Sequence, residues 1–493
     1  MTTPHREVSP AEQTAAAGAL AGFSTHAPSA SELGVLNPAT QERIATLPSA
    51  TPHDALEQVR IAHEAGKAWA RTTPNHRSQV LHDAYDLLIE NQDRLAYVIS
   101  TEMGKPLAEA RGEVQYACDY VRWYAAELLR PAGAYRENPA GGSTILTRRA
   151  PVGLAVLIAP WNFPMAMITR KIAPAVAAGC AAVMKPATLT PLTTGIVVDL
   201  MIEAGVPAEL VRVVTTSDAS GFSEAVLADP RVRKLSFTGS TGVGSTLLGL
   251  AAKNIVKSSM ELGGNAPLFV FDDADVERAV DGAVKAKLRN GGQSCIAANR
   301  IFVQEGIAEE FVAGFTEAMS RVVMGNPLAD GVTLGPVIDA RAVEDMSALV
   351  DDATARGAEL RTGGQVPEGE GYFFPATVLD HVPGDAEIAN TEIFGPVAAI
   401  TRFREESQVL ATANDTPFGL AGYVFTENLD RALNVADALE TGLVGINNGV
   451  PSSAAAPFGG IKQSGLGREG SHEGLEEYQE IRFYNIARRP TVN

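Results

Sequence analysis

Three cysteines in 493 residues are too few for a disulfide framework, and no Cys/His cluster among them and the eight scattered histidines has metal-ligand spacing. A disulfide-stapled secreted scaffold and a structural zinc module are therefore excluded, and a reducing, cytoplasmic home is expected. Positive charge is also scarce. Lys and Arg number 40 against 58 Asp and Glu, and the net charge of −18 would repel nucleic acid and anionic membrane surfaces alike. No apolar run reaches the length of a bilayer span, and the N-terminus lacks a signal-like apolar core.

What is present is a soluble globular composition, 45% hydrophobic and 20% charged, in a chain too long for one core. Residues 1–34 are rich in Ala, Ser, Thr and Pro without a period and read as a mobile leader. Helical periodicity follows. Val80, Ala84, Leu87 and Leu88 share one face, as do Val114, Cys118, Val121, Ala125 and Leu128, which makes Cys118 a core thiol. From residue 152 the texture changes to short β-branched runs at 152–158, 181–184, 211–215 and 234–238, most of them separated by helical stretches. A second set lies at 267–271, 300–303, 398–401, 422–425 and 444–447. Alternating strands and helices imply two doubly wound α/β domains that meet near Glu261, with Cys180 opening a buried strand.

Two glycine-rich turns carry the chemistry. Cys295 ends Asn290-Gly291-Gly292-Gln293-Ser294-Cys295, and Glu261 opens Glu261-Leu262-Gly263-Gly264-Asn265. A thiolate attacks carbonyls near neutral pH, and a carboxylate beside it can activate water afterwards. Pro160-Trp161-Asn162-Phe163-Pro164 fixes a turn whose Asn162 amide can donate to an oxyanion, although the same residue also suits an ordinary turn. Phe237-Thr238-Gly239-Ser240-Thr241-Gly242-Val243-Gly244 passes from strand to helix. It is either a tight turn or a cradle for a pyrophosphate on a helix N-terminus. Lys185, at the carboxyl edge of a strand, serves ribose hydroxyls or a phosphate, or is a solvated loop lysine. Glu392-Ile393-Phe394-Gly395-Pro396 and Pro457-Phe458-Gly459-Gly460 are further aromatic-glycine turns.

In this order and spacing, from Asn37-Pro38-Ala39-Thr40 to Gly467-Arg468-Glu469, these segments resemble the aldehyde dehydrogenase superfamily over nearly the whole chain. The resemblance implies two Rossmann-like domains, cofactor-binding (35–129 and 150–262) and catalytic (263–470), plus a small β oligomerisation arm (130–149 and 471–493). It also implies a homodimer or homotetramer. Cys295 becomes the nucleophile, Asn162 with the Cys295 N–H the oxyanion site, and Glu261 the base that hydrolyses a thioester. Trp161, Lys185, Thr188, Gly239, Ser240, Glu392 and Phe394 fall on cofactor-binding positions. Lys171 and Glu469 match proton-relay positions, or else form a structural ion pair. Thr188 stands where NAD-preferring relatives often carry a glutamate that would repel a 2′-phosphate, so NADP is expected to be preferred, with NAD also used.

Arg170, Arg289 and Ser464 match residues that hold the distal carboxylate in the succinate-semialdehyde branch, so an aldehyde bearing a carboxylate is the expected substrate. Glutarate semialdehyde, one methylene longer, and a broad-specificity aldehyde oxidation are the alternatives. A CoA-acylating reaction is disfavoured by Glu261, and a non-catalytic protein that kept the fold by the intact Cys295, Glu261 and Asn162. Alanine at 297 leaves Cys295 without a neighbouring resolving cysteine.

Overall fold

The computed structural model describes residues 31–130 and 133–488. Most of the segment read as a leader lies outside the described residues. Its last four residues do not belong to a leader: strand Ser31–Leu36 pairs antiparallel with Arg43–Ser49. Leu33 and Val35 of that strand sit in the core of the first domain.

Two parallel sheets organise the molecule. The first runs in the order Gly465–Leu466, Lys257–Glu261, Val232–Thr238, Leu154–Ile158, Ala182–Lys185 and Val211–Val213; only Gly465–Leu466 is antiparallel. The second runs Glu359–Thr362, Thr377–Asp380, Val397–Phe403, Ala298–Gln304, Ala266–Val270, Ala421–Phe425 and Leu443–Ile446, with only Glu359–Thr362 antiparallel. Strands such as Leu154–Ile158 and Ala266–Val270 are buried at every residue, as expected for sheets covered on both faces. The chain passes from the first sheet to the second between Glu261 and Ala266 and later returns one short strand, Gly465–Leu466, to the first. The segment 263–470 is thus not confined to the second sheet.

Helix Ala166–Ala178 is buried along its whole length. A helix apolar on all sides belongs in a core, so the two cations it carries, Arg170 and Lys171, need an internal counter-charge. Helices Pro74–Glu90 and Leu107–Glu127 pack beside it, and Cys118 is fully buried. Cys180 precedes its strand and is also buried, its thiol 3.3 Å from the Tyr478 carbonyl. A third sheet runs Gln479–Ala487, Ser143–Pro151 and Gly133–Glu137, with every residue of Gly133–Glu137 exposed, and residues 471–476 form a helix rather than part of a strand. Among the described residues, no helix is long and apolar enough to cross a membrane.

Candidate active site

The turn that carries Cys295 follows helix Val276–Leu288. Asn290, Gly291 and Gly292 take three successive left-handed conformations, with φ of 58°, 61° and 75°. Asparagine and glycine tolerate that region best. Gly292 is further required because a Cβ there would collide with the Gly395 carbonyl. The turn is tied down on all sides. The Asn290 N–H donates to Glu109 at 2.9 Å, Gln293 Oε1 accepts from the Ile338 N–H at 3.0 Å, and the Tyr423 hydroxyl donates to the Ile296 carbonyl at 2.5 Å.

Cys295, Asn162 and Glu261 line one cavity of about 230 Å³. Asn162 Nδ2 donates to the Gln293 carbonyl at 2.9 Å, which uses one of its two amide protons. Both oxygens of Glu261 are buried without a hydrogen-bond partner, at a point where only a glycine at 459 leaves room for the carboxylate. Burial, then the nearby charge of Glu469, pushes the Glu261 carboxyl well above its ordinary pKa; Arg170 and Lys171 pull the other way. Burial likewise pushes the Cys295 thiol up to about 12, with Arg170 and Arg289 acting to lower it and Glu392 and Glu261 to raise it. Burial thus works against the charged form of both reactive groups in the cofactor-free cavity.

Lys171 and Glu469 do not line the cavity; with Arg170 they form a buried ion group behind Glu261. Lys171 Nζ lies 2.6 Å from Glu469 and 3.0 Å from the Ser236 hydroxyl. Arg170 Nε donates to the same carboxylate at 2.8 Å, and its guanidinium lies over the Phe458 ring at 4.1 Å. Burial opposes the charge on Glu469, yet Lys171 and Arg170 together hold its carboxyl below the usual value. Paired backbone bonds between Phe458 and Glu469 fix that carboxylate against the 457–460 turn.

Arg170 and Arg289 both line the cavity. Arg289 lies over the Tyr116 and Phe163 rings, at 5.2 and 5.1 Å, and donates to the Ser452 hydroxyl at 2.9 Å. Ser464 does not join them. It is fully buried, its hydroxyl donates to the Gly263 carbonyl at 2.6 Å and accepts from the Gly419 N–H at 2.9 Å, and it is absent from the cavity wall. The assignment of Ser464 to the substrate is corrected: both functions of its hydroxyl are taken by backbone, and Ser452 occupies the lining position. The available signal was its place in Val450-Pro451-Ser452-Ser453, just ahead of the Pro457-Phe458-Gly459-Gly460 turn.

On the other side, Trp161, Gly239, Ser240, Glu392 and Phe394 line the same cavity. Trp161 and Phe394 meet edge to face at 5.4 Å. Glu392 accepts from the Gly264 N–H at 3.2 Å, and a side chain at 263 would run into its other oxygen at 2.7 Å. Burial moves the Glu392 carboxyl up to about 7 against the effects of Gly264 and Lys287. Ser240 starts helix Thr241–Ala252 and leaves the helix N-terminus without a side-chain cap. Lys185 and Thr188 lie outside the cavity wall, at the carboxyl end of the adjacent strand. The Lys185 ammonium is buried, its closest hydrogen-bond partner is the Pro186 carbonyl at 3.4 Å, and burial lowers its pKa to about 8. Thr188 is half-buried in the loop that follows. An uncapped helix N-terminus, glycines where a Cβ would intrude, and a buried cation lacking an anion fit a dinucleotide.

A half-buried cysteine, an amide and a carboxylate share one cavity with the turn that opens an uncapped helix, an arrangement suited to an oxidoreductase. The chain belongs to the aldehyde dehydrogenase family, whose model matches residues 25–484. It is 49% identical to the succinate-semialdehyde dehydrogenase of Paenarthrobacter nicotinovorans, covering 90% of this chain and 99% of that one. It is 46% identical to the glutarate-semialdehyde dehydrogenase of Pseudomonas putida, over 92% and 94%. Among solved structures, an NADP-dependent enzyme of Escherichia coli superposes with a TM-score of 0.91 at 44% identity, covering 93% and 95%.

Proposed function

We propose that this protein oxidises succinate semialdehyde to succinate with NADP as its preferred cofactor and NAD also accepted. The observation that carries the reading is the pair Arg170 and Arg289 on the wall of the cavity that holds Cys295. Two guanidinium groups in a largely apolar wall select an aldehyde with an anionic far end. Ser452, held by Arg289, replaces Ser464 as the hydroxyl of that subsite.

Cys295 attacks the aldehyde carbon as the thiolate, and the free amide proton of Asn162 with the Cys295 N–H holds the resulting thiohemiacetal oxyanion. Such a donor is worth ~2.7–4 kcal/mol in the transition state. Ser240, Gly239, Lys185 and Thr188 would hold the cofactor's phosphates and adenosine ribose, and Glu392, Trp161 and Phe394 its nicotinamide end. A bound nicotinamide cofactor supplies the two-electron acceptor. Glu261 then takes a proton from the water that cleaves the Cys295 thioester. Its unpartnered oxygens are free to do so, and the Lys171–Glu469 pair behind it carries the proton away.

Threonine at 188 places no carboxylate against a 2′-phosphate, and Lys185 adds an uncompensated cation nearby, which supports NADP. The exposed strand Gln479–Ala487, with Ile481, Phe483 and Ile486 outward, supports a homodimer or homotetramer built through the arm. Three free cysteines suit a cytoplasmic enzyme. Specificity constants for succinate, glutarate and uncharged aldehydes, each with NAD and NADP, test the reading. Equal values for butanal and succinate semialdehyde would refute it. Glutarate semialdehyde is the second reading, favoured by the Pseudomonas relative, since one methylene is worth only about 1–3 kcal/mol.

A further inference from the structure

We propose that Lys105 and Asn290 form a clamp on the backbone of Asn162 and act as positioning residues for the oxyanion site. The inference rests on the role given to Asn162 above. The Asn162 carbonyl accepts two hydrogen bonds from distant segments, one from Lys105 Nζ at 3.0 Å and one from Asn290 Nδ2 at 2.8 Å. The side chain of Asn162 is held from the same quarter: Nδ2 donates to the Gln293 carbonyl, which also accepts from Asn290 Nδ2 at 3.0 Å. Asn162 is thus fixed at its backbone and its amide to the turn that presents Cys295, so donor and nucleophile move as one body.

The clamp has its own foundation. Lys105 lies in the short connection between helices Gln92–Met103 and Leu107–Glu127, and its ammonium is fully enclosed. It forms an ion pair with Glu113 and sits 4.0 Å from the centre of the Phe163 ring. The other Glu113 oxygen accepts from the N–H groups of Met165 and Ala166, at 2.8 and 3.1 Å, where helix Ala166–Ala178 begins. Glu109, one turn earlier on the same helix, receives the Asn290 N–H. One helix, Leu107–Glu127, therefore sets both the segment after Asn162 and the turn before Cys295. A buried charge pair is costly to enclose, and an apolar pair would fill the space as well, but only an ammonium both neutralises Glu113 and reaches the carbonyl. Oxyanion donors act by being placed in advance, so loosening of a few tenths of an ångström weakens them.

A double-mutant cycle on the rate of the first turnover of reduced cofactor, with succinate semialdehyde and NADP, tests the clamp. Lys105→Met/Glu113→Gln removes the Lys105 arm of the clamp while keeping the buried site neutral. It should slow the step about tenfold with unchanged KM for both substrates, against about a hundredfold for Asn162→Ala. Combined with Asn162→Ala, it should cost less than about twofold more, because a clamp has no effect once its target amide is gone. The full tenfold loss in both backgrounds, or no loss in either, overturns the clamp and leaves the role of Asn162 standing. Full activity of Asn162→Ala overturns that role and the clamp together. Asn290→Ala, which touches no buried charge, runs the same cycle if the first variant does not fold, and additivity there overturns the inference equally.

Discussion

Replacing Arg289 with methionine removes a guanidinium from the cavity wall while keeping a stem that packs against Tyr116 and Phe163. The lost charge-assisted contact with a substrate carboxylate is worth roughly 1.5–3 kcal/mol, so kcat/KM for succinate semialdehyde should fall about ten- to a hundred-fold. Arg289 also helps to lower the Cys295 thiol pKa, so some loss with every aldehyde is expected. Butanal, with a comparable chain and no carboxylate, measures that shared part. The ratio of the two specificity constants isolates recognition of the anionic end. A ratio unchanged from the parent, with both aldehydes falling together, would show that Arg289 serves only the Cys295 turn and would remove the basis for an acidic substrate.

Ser452→Ala should lower kcat/KM for succinate semialdehyde several-fold and leave the thermal midpoint unmoved, whereas Ser464→Ala leaves two buried backbone groups unpaired and should cost about 1–3 kcal/mol of stability; the reverse pattern in melting curves and kinetics would restore Ser464 to the substrate site. Thr188→Glu should raise the KM for NADP at least about tenfold through repulsion of the 2′-phosphate, with little change for NAD, and equal effects on both would remove Thr188 from cofactor choice. In the cofactor-free protein the thiolate is the deprotonated form of a thiol pushed up to about 12. Its alkylation by iodoacetamide should therefore climb about tenfold per pH unit from 7 to 10, and a plateau near pH 8.5 would show that the thiol is not shifted upward.

Strands of the two sheets were legible where they are buried on both faces and so read as continuous apolar runs; 152–158 and 422–425 fall within two residues of Leu154–Ile158 and Ala421–Phe425. Lys257–Glu261 escaped because Lys-Ser-Ser-Met-Glu has neither run nor alternation, although it carries the Glu261 carboxylate. Cys295 and Asn162 stood out because their turns need glycine or proline in fixed places, which is a local property. The direction of a hydroxyl is not local. Ser464 and Ser452 lie in similar small-residue turns, and only long-range partners, Gly263 and Gly419 for one and Arg289 for the other, separate them. Lys105 was invisible for the same reason, since its partner carbonyl is 57 residues away in sequence.

The proposed oxidation turns on an acyl adduct of Cys295 that Glu261 helps water to cleave. Rapid mixing of Glu261→Gln with succinate semialdehyde and NADP, followed by mass analysis of the peptide carrying Cys295, tests it most directly. The expected result is a single burst of reduced cofactor matching the active sites, then a stall, with a succinyl group retained on Cys295. Steady turnover at the parent rate with no adduct on that peptide would contradict it.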